Sequence, residues 1–340
     1  MGSRAFLASV AVLIGLAASS PHAKADPINI RVGWATTPTH VQPLVDELQK
    51  RHPEVFRHFG KSYVAEGMRF NGSTPQIQAL AIKELEVAAF GPSAVALAVN
   101  NAQLDMRIVA DVFQDGVPGY ATVRYVVRAD SPIKTVEDLK GKRVASNAIG
   151  SFGDSTMRVM LHKRGVTDKD VTTIEVNFGN MPAMLEEGKV DLINLIPQFK
   201  AAYLDTGKVR LLFTAHDAQG VSQAQVWAMR ADTIKDHRAA FVDFFADHIR
   251  ALRWFLDKKN HEEAAAIAMA VTKAHREAID YVFTAEDSFR SPDARPDIAA
   301  TQRAIDNDLA LGIIQKGITA APKYVDLSMV EEAKHRIDGK

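Results

Sequence analysis

The sequence predicts an α/β protein built as two lobes, and three observations carry that prediction. Strands and helices alternate through the first two thirds of the chain, which argues sheets flanked by helices. A Gly/Pro-rich break at Asp115-Gly116-Val117-Pro118-Gly119 interrupts the alternation, and the chain returns near Ala215-His216-Asp217. The length of 340 residues, 47% hydrophobic and 24% charged, suits two globular units. One lobe is then residues 26–116 plus 217–340, and the other is 117–216. Each is expected to hold a mixed, mainly parallel sheet, with two hinge crossings between them and a cleft as the natural site.

The first 25 residues stand apart from this pattern. Arg4 is followed by the apolar run Ala5–Ala18 and a polar stretch ending Ala23-Lys24-Ala25. This charged, apolar, small-x-small order reads as a secretory signal peptide cleaved after Ala25. The run is shorter than the roughly 20 residues that span a bilayer. The chain contains no cysteine, so disulfides, thiolate nucleophiles, Cys zinc sites and a lipidated mature start are excluded. Formal net charge is zero, which leaves no basic footprint for nucleic acid.

The elements follow in order. Ile28–Trp34 alternates apolar and polar residues and reads as the opening strand. A loop leads to a helix over Val41–Arg51, then a strand over Ser62–Phe70. Asn71 to Pro75 is a turn, with Thr74 as N-cap and Pro75 at the first helical position, where its missing N–H costs nothing. The strand Val87–Phe90 leads through Gly91-Pro92-Ser93 into a helix, and Arg107–Phe113 is a further strand. Beyond the break come strands at Ala121–Arg128, Arg143–Ser146, Thr172–Val176, Val190–Ile196 and Val209–Phe213. Helices open at Gly150–Asp154, at Pro182 and after Pro197, and Gln225–Met229 is the returning strand. The remainder reads as helical: Phe241–Lys258 with one wide apolar face, then Glu262–Val271, Lys273–Phe283, Ile298–Leu311 and Ser328–Ile337. Arg250, Arg253, Lys258 and Lys259 read as a solvated helix edge.

Several segments together resemble a known family. They are INIRVGW, Gly72-Ser73-Thr74-Pro75, Asp138-Leu139-Lys140-Gly141-Lys142-Arg143-Val144-Ala145, Gly150-Ser151 before a helix, and Met184 to Leu192 before a strand ending at Pro197. In this order and spacing they resemble the periplasmic binding proteins of nitrate, sulfonate and taurine ABC importers, which share a fold with thiamine-pyrimidine binding proteins. The resemblance covers nearly the whole mature chain. It implies the type II periplasmic binding protein fold, a small-molecule ligand, permease subunits as partners, a monomer in the periplasm and no cofactor. It also implies a transport role: capture of a small organic anion or zwitterion such as a sulfonate or taurine. A pyrimidine-type heterocycle or an aromatic carboxylate is the alternative ligand. A periplasmic sensor or a pyrimidine-synthesising enzyme are further uses of the same fold.

In such a fold the loops after strands point into the cleft. Helix N-termini there offer unpaired N–H groups and partial positive charge. Four turns qualify, and they supply the expected ligand contacts: Thr37, His40, Ser73, Thr74, Gly91 and Ser93 from one lobe, and Ser151, Phe152, Gly153 and Asp154 from the other. The same Ser and Thr residues also read as ordinary helix caps. Tyr120, Phe152 and Trp227 are candidates to stack on a planar ligand, or else to pack in core or hinge. Asn177, Asn180, Asn194 and Gln198 at strand ends add uncharged donors and acceptors. Asp154 would repel an anion or pair with an amine if it faces the cleft. No His-Glu-x-x-His, Gly-x-x-x-x-Gly-Lys-Ser/Thr or Gly-x-Ser-x-Gly pattern occurs, so zincin, ATPase and hydrolase-elbow chemistry are unsupported and a binding role is expected over an enzymatic one.

Overall fold

A computed structural model describes residues 26–36, 38–320 and 322–339. The expected export signal and Thr37 lie outside the described residues. The chain runs β1 (Ile28–Trp34), α1 (Gln42–Arg51), β2 (Tyr63–Arg69), α2 (Ser73–Ala81), β3 (Val87–Phe90), α3 (Pro92–Asn100) and β4 (Met106–Asp115). It continues through β5 (Arg124–Arg128), β6 (Arg143–Ser146), α4 (Phe152–Lys163), β7 (Thr172–Glu175), α5 (Met181–Glu186), β8 (Ile193–Leu195) and β9 (Val209–Thr214). It closes with α6 (Ala215–Gln219), β10 (Ser222–Arg230), α7 (Ala231–Leu256), α8 (His261–Thr272), α9 (Ile298–Ala310) and α10 (Ser328–Asp338).

The strands divide as the two-lobe expectation requires. The first lobe's sheet has the order β2-β1-β3-β10-β4. In the second lobe β8-β5-β9 and β6-β7 form two short sheets, joined by a bridge between Val144 and Leu192. Parallel pairing links β1 to β2 and β3, and β6 to β7. β5 and β10 run antiparallel to both their neighbours. These are the two strands that follow a crossing, so the parallel share is smaller than the alternation alone implied.

Alternation along each strand loads both sheet faces. In β5, Tyr125 and Val127 enter one core with Val144 and Leu192, while Val126 enters another with Ala145 and Ile193. In the first lobe Val87 and Ala89 pack toward α1, α7, α8 and α10, and Ala88 and Phe90 pack toward α2 and α3. Helix α7 contributes Phe241, Phe244, Phe245, Ile249, Leu252 and Phe255 to the larger core and bends at His237, whose φ of −135° and ψ of 27° are not helical.

Four readings need correction. Helix α2 starts at Ser73 with Gly72 as its cap, not at Pro75 behind Thr74. The first-turn N–H groups lack helical partners anyway, so proline is tolerated at the third position too. The strand expected over Ala121–Arg128 begins only at Arg124. Before it, the Ala121 N–H donates to the Asp287 carbonyl and the Val123 N–H to the Asp115 carboxylate at 2.9 Å, so a side chain takes the place of a strand partner. The helix expected over Lys273–Phe283 is a single 3-10 turn, Arg276–Ala278. Lys273 adopts a left-handed conformation that ends α8, and Ile279 and Val282 fill the core from an irregular segment. Of the strand expected over Val190–Ile196, only Ile193–Leu195 forms.

Candidate functional site

The cleft is defined by two sheet edges. In the first lobe the carboxyl ends of β1, β2, β3 and β4 and the start of β10 lie along one edge; the segments that follow carry His40, Gly91 and, in the first turns of α2 and α3, Ser73 and Ser93, while Gln225 lies within β10 itself. In the second lobe the ends of β6 and β7 lead to the start of α4 and to Asn177, and Asn194 sits within β8. Two helix N-termini belong to these edges, α3 behind Gly91-Pro92 and α4 behind Ser151. Pro92 stands in the first turn of α3. Ser151 caps α4, its hydroxyl accepting the Asp154 N–H at 3.3 Å and donating to Asn147 Oδ1 at 2.9 Å.

The lobes touch through named groups. Ser155 on α4 donates to the Asp308 carboxylate on α9. Asn307 Nδ2 on α9 donates to Gln219 Oε1 on α6 at 3.1 Å. Phe152 packs against the cores of both lobes. The crossings themselves pair Ser222 with Asp115, and the Gly116 carbonyl lies 2.8 Å from His216 Nδ1. Gly116 has φ of +73°, and a Cβ there would meet the Gly220 carbonyl at 2.8 Å, so glycine is required where the two crossings pass.

Buried polar atoms without a protein partner mark the cleft chemistry. Among the described residues they include Asn194 Oδ1 and Asp154 Oδ1; His40 with Gln225, and Ser93 with Asp308, lack a well-formed bond but stand close enough to pair with each other. Native interiors leave few such atoms; these lie at the cleft edges, while others, Gln42 Oε1 and His248 Nδ1 among them, lie elsewhere in the first lobe. His40 is 5% exposed and its Nδ1 lies 3.0 Å from the Thr36 carbonyl. Burial lowers its pKa to about 4, so the ring is neutral near pH 7. Asp154 is fully buried. It accepts the Gly150 N–H at 2.9 Å, and the Arg158 guanidinium stands 3.0 Å away. Burial raises its pKa despite those partners. Asp308 is raised for the same reason, opposed by the Ser155 and Ser93 hydroxyls and increased by the charge of Asp154. Two carboxylates thus stand beside the N-termini of α3 and α4.

The remaining expected contacts divide. Gly153 faces Asn194, since a Cβ there would come within 2.6 Å of Asn194 Nδ2, and its carbonyl accepts the Tyr125 hydroxyl at 2.7 Å. Ser73 is half-buried, while Thr74, Asn177 and Asn180 are exposed. Gln198 is half-buried in the turn after Pro197. Tyr120 is exposed and stands edge-on to Phe289, with ring centroids 5.1 Å apart. Trp227 is a correction. It is 2% exposed inside the first lobe, 5.7 Å from the Phe244 ring and 4.5 Å from the His248 ring. Helix α7 covers this face of β10 and brings Phe244, Phe245 and His248 over the indole, so the ring faces the core and not the cleft. The sequence reading missed Gln225, Ser155 and Asp308. Asp308 lies on a helix that reads as amphipathic, with nothing local to show that the other lobe covers it.

The two lobes and the cleft between them define the type II periplasmic binding protein fold. The chain belongs to the NMT1/THI5-like family, whose model matches residues 69–280. The alkanesulfonate-binding protein SsuA of Xanthomonas axonopodis pv. citri, bound to MOPS, superposes with a TM-score of 0.68 at 20% identity, over 89% of this chain and 100% of that one. The nitrate-binding protein NrtA of Synechocystis PCC 6803 gives 0.70 at 15% identity, over 92% and 90%. At such identities the likeness establishes the fold. A Haemophilus influenzae protein assigned provisionally to thiamine biosynthesis is 40% identical over 68 residues, 20% of this chain. That match spans about a fifth of the relative's length, 21%.

Proposed function

We propose that the protein is the solute-binding component of an ABC importer. It is exported to the periplasm ahead of Asp26, traps one small molecule between its lobes and presents it to a permease. The observation that carries this reading is that buried polar groups of both lobes meet at their boundary, Ser93 and Asp308 on one side and Ser155, Asp154 and Asn194 on the other, with Asp154 Oδ1 and Asn194 Oδ1 left without a partner. Groups divided in this way bind fully only when the lobes are together, so a ligand shifts the population toward the closed form. No nucleophile with an adjacent base stands among them, which favours trapping over turnover. Lobe two is residues 117–216, carried on to Gly220 because Ala218 packs in its core.

The ligand class follows from the same atoms. Asp154 contributes a carboxylate oxygen and Asn194 an amide oxygen, so the free atoms are acceptors. Asp154 and Asp308 already stand where a bare anion would meet the helix N-termini. A solute bearing N–H donors fits better: a zwitterion such as taurine, or an amino-substituted heterocycle. The second of these agrees with the thiamine assignment of the Haemophilus relative.

Thermal-shift screening of residues 26–340 tests the proposal with taurine, ethanesulfonate, nitrate, benzoate and 4-aminopyrimidine. A ligand at about 100 times its Kd adds roughly 2.7 kcal/mol of stability. Taurine or 4-aminopyrimidine is expected to raise the melting temperature more than nitrate or ethanesulfonate does. Asn194→Ala should weaken the binding solute by about tenfold, the value of one buried hydrogen bond to a polar ligand. Unchanged affinity in Asn194→Ala and Ser93→Ala together would remove the cleft from consideration.

A further inference from the structure

The larger core of the first lobe leaves a cavity of about 180 Å³ away from the cleft. It lies between α1 and α7 and is centred on the start of β2, the end of that strand remote from the cleft edge. Its walls include Gln42 and Asp46 from α1, Phe59 and Tyr63 beside β2, and Phe244 and His248 from α7. A cavity of about 150 Å³ lined by apolar groups accepts one benzene ring, so this space has the size of a single ring with a short substituent.

Two features distinguish it from a packing defect. The first is an aromatic wall. Phe59 meets Tyr63 edge to face at 5.7 Å, and Tyr63 meets Phe244 in the same way at 5.4 Å. Ring faces attract cations as well as other rings. The second is unmatched polarity. Gln42 and His248 are 2% and 3% exposed, and Gln42 Oε1 and His248 Nδ1 have no hydrogen-bond partner. Gln42 Nε2 instead donates to Asp46 Oδ1 at 2.7 Å, which fixes the carboxylate at the wall. Asp46 Oδ2 lies against β2 where Gly67 leaves room, since a Cβ there would come within 2.7 Å of it. Asp46 has no cation in hydrogen-bond contact among the described residues; Lys50, one turn further on, acts on it only through charge.

We infer that this cavity is a second binding site, one that takes a monocyclic arylalkylammonium ion with its ring among Phe59, Tyr63 and Phe244 and its ammonium on Asp46. Binding there is independent of the cleft, because no cleft residue lines the cavity. Calorimetry with benzylamine as probe, and benzyl alcohol as its uncharged counterpart, tests this on the protein of residues 26–340. Benzylamine is expected to bind at one site, and benzyl alcohol about tenfold more weakly. Asp46→Asn should bring benzylamine down to the level of the alcohol. Ala65→Leu, which adds three carbons on the β2 wall of the cavity, should abolish binding of both while circular dichroism stays unchanged. Asn194→Ala, in the cleft, should leave benzylamine binding as it is. The inference is overturned if benzylamine does not bind at millimolar concentration. It is also overturned if Asp46→Asn binds benzylamine as the parent does, or if Asn194→Ala is the variant that loses binding.

Discussion

Asp247 and Asp154 are both fully buried aspartates on helices, yet they are held in opposite ways. Asp247 accepts the backbone N–H groups of Arg57, His58 and Phe59 at 2.9, 2.8 and 3.1 Å, the Tyr63 hydroxyl at 3.1 Å and the Arg250 guanidinium at 2.7 Å. Both its oxygens are saturated from within one lobe. Asp154 has one backbone donor and one arginine, and its Oδ1 has none. The difference teaches how the molecule separates scaffold from site. A saturated carboxylate locks the 56–59 turn onto α7, whereas an under-coordinated one at the lobe boundary leaves an oxygen open.

The largest test of this contrast is stability. Asp247→Ala strands three N–H groups, a phenol and a buried guanidinium, and breaking a buried pair of this kind costs roughly 3–5 kcal/mol. Asp154→Ala should cost about 1 kcal/mol, because fewer partners are orphaned. Urea unfolding of both variants measures the gap, and equal losses would erase the distinction.

A smaller effect concerns Asp308, whose pKa burial raises. A carboxyl that is raised in the folded state is a burden when charged, and the burden lifts as pH falls through its folded value toward the ordinary one near 3.9. The parent should therefore gain stability relative to Asp308→Asn as pH falls from 7 to 4. Urea midpoints at the two pH values read this, and a gap moving the other way would show that the carboxylate form is the stabilised one. Smallest is Gly153→Ala. Alanine suits a helix better than glycine by about 1 kcal/mol, but its methyl would displace Asn194. Stability should stay within about 1 kcal/mol while solute affinity falls, as calorimetry against the solute found by screening would show.

These contrasts also explain what the sequence made legible. Strands such as Arg143–Ser146 and helix starts such as Ser151 are local matters of alternation and capping, and they appear where expected. Of the residues proposed for the cleft, His40, Ser93, Gly153, Asp154 and Asn194 lie next to such signals and were named from the sequence. Gln225 and Asp308 were missed because their roles arise from segments 70 or more residues away, Ser155 among them. Arg250 read as a solvated helix edge, yet its partner is Asp247, three residues back on the same helix. Trp227 was named as a stacking candidate because nothing within β10 reveals that α7 covers its face of the sheet.

Phe152 has a consequence for timing. Because its ring is shared by the interiors of both halves, separating them must withdraw it from one of those interiors, at a cost of about 2 kcal/mol for a large apolar side chain. A barrier of that size would slow separation of the two halves some thirtyfold, so the rate at which they part is governed in part by a single phenyl group acting as a latch pin.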